Sequence, residues 1–167
     1  CYYIKMSASF VHLHCHSEYS ILECPIRIKH LIKKAQALGM KHVAVTDNAT
    51  MYGAIDFYQQ AKQAGLNPII GADCYLTPTI TQKERFNSRL ILLCQSFTGY
   101  QNLIKLISIA HLEGMYYKPR LDLETIEKHK EGLIAICPSG RGPLSQAIQA
   151  YDDEAAFNTA QKLKHCF

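Results

Sequence analysis

His42-Val43-Ala44-Val45-Thr46, then the stretch Met51 to Ala64, then Pro68-Ile69-Ile70-Gly71-Ala72, decide how this chain is organised. The first and third segments are short, apolar and rich in β-branched residues, as buried strands are. The middle one carries a helical pattern and ends at Gly65, a residue suited to the left-handed turn that closes a helix. Strand, helix and strand in succession predict a unit in which a helix crosses between two strands.

The pattern extends in both directions. Toward the start, Phe10-Val11-His12-Leu13-His14 predicts another strand. Apolar residues at Ile28, Leu31, Ile32, Ala35 and Leu38 then form a helical stripe from Arg27 to Leu38, stopped at Gly39. Toward the end, Leu90-Ile91-Leu92-Leu93-Cys94 predicts a strand, Tyr100 to His111 a helix, and Gly132 to Cys137 a strand. Helical patterns follow Pro143 and Tyr151, and the polar segment from Thr77 to Ser88 predicts a surface excursion. Alternation of this kind predicts an α/β fold of parallel strands flanked by helices, either a barrel or a doubly wound sheet.

Composition bounds the function. A chain of 167 residues, 48% hydrophobic and 19% charged, suits one globular domain spanning 1–167. The net charge of +4 permits contact with nucleic acid without arguing for it. Seven cysteines at 1, 15, 24, 74, 94, 137 and 166, with no C-x-x-C pair, read as reduced thiols of a cytoplasmic protein. The opening CYYIKMSASF lacks the apolar run of a signal peptide, and no stretch reaches the ~18 consecutive apolar residues of a membrane span. The final Lys164-His165-Cys166-Phe167 carries no stop signal, so the sequence reads as a fragment of a longer chain.

Three polar sets stand at or beside predicted strands. His12-Leu13-His14-Cys15-His16 places imidazoles two residues apart, on one side of an extended chain. Imidazole is a common ligand for zinc and related divalent ions, although histidines on an exposed strand also serve as ordinary hydrogen-bonding groups. Thr46-Asp47-Asn48 follows the second strand and Asp73 the third. Singly, such aspartates are turn formers or helix caps. Together, at successive strand ends, they suggest one shared site.

These residues carry a resemblance. FVHLHCHSEYSILE (10–23), HVAVTDNATMYGAIDFY (42–58), NPIIGADCYL (67–76), LILLCQSFTGYQNLIKL (90–106) and AHLEGMYYKPRLD (110–122) are similar, in order and spacing, to the PHP domain of bacterial DNA polymerase III alpha subunits. TGYQNL and EGMYYKPR set this group apart from other PHP phosphoesterases, including the histidinol-phosphate type. The resemblance implies a PHP-type distorted (β/α)7 barrel, of which this chain supplies an N-terminal, incomplete portion of a much longer polymerase.

Carried over by motif, the vestigial metal ligands are His14, His16, Glu23 and Asp73. Other ligand positions are lost. Asn48 stands where the family has a histidine, Arg89 where a histidine precedes the strand, and Ser139 where a cysteine follows the fifth strand, with Cys137 two residues away. A neutral amide binds transition metals weakly. A guanidinium stays charged, and at ~4 Å from a divalent ion, with an effective dielectric of about 20, the repulsion is roughly 8 kcal/mol. Arg89 is therefore expected to occupy the vacated site and pair with Asp73 or Glu23.

The expected function follows from these losses. No catalytic residue and no cofactor is expected in this domain, which would act as a scaffold and docking site for the proofreading exonuclease. The resemblance implies partners in the remaining polymerase domains and other replisome subunits, with no membrane. It implies template-directed synthesis from DNA and dNTPs, with magnesium, for the parent polymerase. The alternative is a residual zinc- or manganese-dependent phosphoesterase, acting as a 3′–5′ exonuclease or pyrophosphatase.

Overall fold

A computed structural model describes residues 10–83, 85 and 87–167. The predicted βαβ unit is present: β1 (His42–Asn48) and β2 (Asn67–Leu76) run parallel, joined through the helix α2 (Ala54–Gln63). Before them lies α1 (Ile28–Ala37). Gly39 and Gly65 both take positive φ just past the ends of these helices, the conformation that glycine reaches without a Cβ clash.

After β2 the chain departs from the parallel expectation. β3 (Ser88–Cys94) pairs antiparallel with β2, and β6 (Leu133–Ile136) antiparallel with β3. The cause is the connection. A parallel return needs a crossover of a dozen or more residues, usually helical, whereas 77–87 contains no helix among its described residues and returns the chain alongside β2 in the opposite sense. The sheet is mixed, with β5 (Lys118–Leu121) parallel to the end of β2 and β4 (Met115–Tyr116) forming a small hairpin with β5.

The first predicted strand is absent: Phe10 to His14 forms no strand ladder. The backbone instead reaches β1 at Cys15, where Thr46 N–H donates to Cys15 O at 2.7 Å and Cys15 N–H donates to Thr46 Oγ1 at 3.0 Å. The hairpin β4–β5 and the short helix α4 (Leu123–Lys128) lie between His111 and Gly132, where the sequence pattern predicted no element. Asp122 starts α4 by accepting from Thr125 N–H at 2.9 Å, while its other oxygen accepts from Ile80 N–H at 3.0 Å and pins the excursion after β2.

Register sorts the sheet into two faces because successive side chains alternate. One face puts Ala72, Cys74, Leu76, Leu90 and Leu92 into a core with Leu103, Leu106 and Ala110 of α3 (Phe97–Leu112). Val43 and Val45 join Ile28, Ile32, Phe57 and Ala61 in a second cluster under α1 and α2. On the opposite face, Asn48 pairs with Asp73, Asp73 with Ile91, and Tyr75 with Arg89. That face carries the polar residues. The last helices, α5 (Pro143–Gln149) and α6 (Asp153–Cys166), bury little; α6 contributes Ala156 and Cys166.

Six of the cysteines are described and all are free thiols. Burial pushes Cys74 and Cys94 up to about 12, so neither supplies a reactive thiolate near neutral pH. Cys1 lies outside the described residues.

The packing makes a direct prediction about α3. Leu103 is fully buried whereas Leu112, on the same helix, is 83% exposed. Leu103→Ala should cost ~2–5 kcal/mol in urea unfolding, and Leu112→Ala within about 0.5 kcal/mol. Equal losses for the two would show that α3 does not cover the sheet in this orientation.

Candidate metal centre

The histidine segment is held in place by buried serines and an aspartate. Asp47, at the end of β1, accepts from Ser17 N–H at 2.6 Å, Ser17 Oγ at 2.7 Å and Ser20 Oγ at 2.6 Å. All three residues are buried. Ser20 Oγ also accepts from Asn48 N–H at 3.1 Å. Sequence reading placed Asp47 in a polar cluster; its anchoring role was not visible, because the only local sign is a pair of serines three residues apart.

The anchored segment presents His14 and His16 side by side, their rings 5.0 Å apart and nearly perpendicular. Both reach Asp73 Oδ2, His14 Nε2 at 3.0 Å and His16 Nε2 at 3.3 Å. With protons on those nitrogens, both rings donate to one oxygen. His12 stands apart, exposed and edge-on to Phe10 with ring centroids 4.7 Å apart.

A third donor reaches the same oxygen. Arg89, at the start of β3, places Nη2 2.8 Å from Asp73 Oδ2, and both side chains are nearly fully buried. The sheet explains this approach. Asp73 faces Ile91 across the antiparallel pair, so Arg89, two residues earlier, is its diagonal neighbour on the same face. Tyr75, directly opposite Arg89, lays its ring under the guanidinium with the carbon 4.1 Å from the ring centre. Arg89 also donates to Asn48 Oδ1, and Asn48 Nδ2 donates to Glu23.

Of the two partners expected for Arg89, Asp73 is therefore direct, while Glu23 is reached only through the Asn48 amide. Glu23 is exposed and lies outside the His14–His16–Asp73 group. Ser139 is exposed in the turn after β6 and makes no hydrogen bond to the cluster among the described residues. That turn is tied to β3 by the backbone, Arg89 N–H donating to Arg141 O at 2.8 Å.

The electrostatics follow from these contacts. Burial alone would raise the Asp73 pKa; the hydrogen bonds from His14 and His16 and the charge of Arg89 outweigh it and hold the carboxyl far below the usual range. A depressed pKa stabilises the fold above the unfolded value of about 4, and that contribution is lost as pH falls through and below it.

Two imidazoles and a carboxylate, with ligand atoms all within 4.8 Å of one another, form a donor set of the kind that takes a zinc or manganese ion. Asp73 Oδ1 is buried with no hydrogen-bond partner among the described residues, an oxygen still open to a cation. Oδ2, the atom on which the histidines converge, is already held by Arg89. The arrangement can hold one small cation if the guanidinium moves aside. Among the described residues no second group of such ligands accompanies it.

The anchor can be tested independently of any metal. Asp47→Ala strands three donors that now meet a buried carboxylate, each bond to a charged group contributing about 1.5–3 kcal/mol. A loss of ~3 kcal/mol or more is expected in urea unfolding, with faster hydrogen exchange at the Ser17 and Thr46 amides. Unchanged exchange at Ser17 would show that Asp47 does not anchor the histidine segment.

The chain is 42% identical over 170 residues to a DNA polymerase III subunit alpha of Borreliella burgdorferi, covering 98% of this chain and 15% of that protein. It is 37% identical over 173 residues to the Aquifex aeolicus protein of the same name, covering 97% and 15%. For Chlamydia pneumoniae the figures are 44% over 138 residues, 79% and 11%. The chain thus spans about an eighth of the curated relatives it matches. Among solved structures, an amidohydrolase from Chromobacterium violaceum aligns with a TM-score of 0.47 at 18% identity, over 60% of this chain and 32% of that one. The PHP domain profile matches residues 12–167, from just before the paired histidines through Asp73 and Arg89 to the last residue, and the chain belongs to the PHP domain family.

Proposed function

We propose that this chain is the PHP region of a DNA polymerase III alpha subunit in which a guanidinium has taken the place of a metal ion, leaving a scaffold. The observation that carries this reading is the contact of Arg89 with Asp73 Oδ2, the oxygen shared by His14 and His16. Hydrolysis of a phosphoester by this kind of centre needs closely spaced cations to activate water and to steady the developing charge. A permanent positive charge 2.8 Å from the central carboxylate oxygen opposes each of them. The same charge offsets the burial of Asp73, so the substitution conserves the structural service of a cation without its chemistry.

In this reading the longer protein carries out DNA-directed DNA synthesis with DNA, dNTPs and magnesium on domains outside this chain. The PHP region supports those domains and offers a docking face to a proofreading exonuclease subunit. The support is the identity of 37–44% to alpha subunits over most of this chain. No described helix is long and apolar enough to cross a membrane, which is consistent with cytoplasmic work on DNA.

A second reading has one observation in its favour. His14, His16 and Asp73 still converge, and Asp73 Oδ1 is unpaired. That would suit a single zinc or manganese ion in a residual 3′–5′ exonuclease or pyrophosphatase.

Two measurements separate the readings. If Arg89 is structural, Arg89→Ala leaves a buried carboxylate without its cation and should cost about 3 kcal/mol or more in urea unfolding. Single-stranded DNA and pyrophosphate should survive incubation with the wild-type chain and manganese. Undiminished stability of Arg89→Ala, or cleavage that His14→Ala abolishes, would favour the enzyme.

A further inference from the structure

A second concentration of charge and aromatic surface lies beside the cluster, on the hairpin β4–β5. Register pairs Tyr116 with Lys118, which leaves Tyr117 alone at the tip with φ of 58°. A bulky side chain seldom accepts this left-handed conformation, which costs on the order of 1 kcal/mol, and such strain gathers where a side chain must be presented in one direction. Tyr117 is presented outward, 66% exposed.

Cations surround it. The Arg85 guanidinium carbon lies 4.2 Å from the Tyr117 ring centre, and Arg85 donates to the Tyr117 hydroxyl. Tyr116 stands edge-on to Tyr117 at 4.8 Å, and Arg120 lies 5.3 Å from the Tyr116 ring centre. On the next strand Tyr75 lies between Arg89 at 4.1 Å and Lys118 at 5.5 Å. Residues 77–90 and 114–121 together hold Lys83, Arg85, Arg89, Lys118 and Arg120 against a single acidic residue, Glu84. Arg85, Tyr117 and Lys118 are all exposed.

Packing accounts for part of this group. Arg120 is buried and donates to the backbone oxygens of Gly114, Gln82 and Ile80, fastening the excursion after β2 to the hairpin. It does not account for an exposed, strained tyrosine flanked by two exposed cations. At this edge of the sheet Tyr117 carries the Arg85 guanidinium on one face of its ring, and the exposed Lys118 lays its ammonium over Tyr75 on the neighbouring strand. Surfaces that hold single strands without sequence preference combine the same elements, a ring on which a base stacks and cations that track the phosphates.

We propose that the Tyr117 hairpin is a contact site for single-stranded DNA, with the Tyr117 ring stacking against one base and Arg85 and Lys118 neutralising adjacent phosphates. The site adjoins the His14–Asp73–Arg89 cluster through Tyr75, which lies between Arg89 and Lys118, but its contacts from Tyr117, Arg85 and Lys118 do not depend on whether that cluster holds a metal.

Fluorescence anisotropy of the 167-residue chain with a labelled oligothymidine, titrated across salt, tests the proposal. Tyr117→Gly removes the ring and relieves the left-handed strain, so it should retain the wild-type melting temperature while weakening binding at least about fivefold. Against an oligomer of equal charge bearing abasic sites, the same substitution should have little effect. Lys118→Ala should lower the salt slope by about 0.7, the share of one phosphate on a single strand. A triple change of Lys29, Lys33 and Lys34 to alanine, on the exposed face of α1, should leave the Tyr117 contribution intact. The proposal is overturned if the wild-type chain does not bind the oligomer at low salt. It is also overturned if folded Tyr117→Gly and Lys118→Ala bind as wild type does, which would leave the patch to a protein partner.

Discussion

One carboxylate oxygen, Asp73 Oδ2, lies within 3.3 Å of His14 Nε2, His16 Nε2 and Arg89 Nη2, and the function proposed here depends on it. Removing a carboxylate from water costs several kcal/mol unless a cation and hydrogen bonds replace its hydration. Here the replacement comes from two separate parts of the chain, the histidine segment and the strand β3, which lies in antiparallel register beside the β2 strand that carries Asp73. Each must be in place before the carboxylate can be buried, so the site and the fold specify one another.

The supporting structure works in the same way. Asp47 collects Ser17 and Ser20, and Thr46 bonds the backbone of Cys15, so the histidines are placed by a neighbouring strand end and not by a strand of their own. Asn48 bridges Arg89 and Glu23, an amide serving as acceptor to one and donor to the other. A histidine has no carbonyl oxygen to offer Arg89 in this way, whatever its tautomer. Asn48 and Arg89 therefore complement each other. A change at one alone would leave either a guanidinium lacking this acceptor or an amide facing a vacated position.

Sequence was most informative where local pattern and tertiary role coincide. β1, α2 and β2 were legible because apolar, β-branched runs alternated with a helical stripe and glycine stops, and the polar positions Asp47, Asn48 and Asp73 because each stands at or near the end of one of those strands. The antiparallel course of β3 was hidden, since nothing inside Leu90–Cys94 records direction; the connection 77–87, with no helix among its described residues, carries that information. The strand expected at Phe10–His14 does not form: the stretch makes no ladder of backbone hydrogen bonds, and of its residues only His14 reaches Asp73. The hairpin at Met115–Leu121 was hidden for another reason: its turn uses Tyr117 in a conformation that turn chemistry assigns to glycine or asparagine.

The substitution of a fixed charge for a metal ion is best examined by diffraction from crystals of the chain soaked in manganese, with anomalous data collected. The account places the Arg89 guanidinium against Asp73 Oδ2 in that map, with no strong anomalous peak among His14, His16, Glu23 and Asp73. Two strong peaks there, with Arg89 swung away, would contradict it.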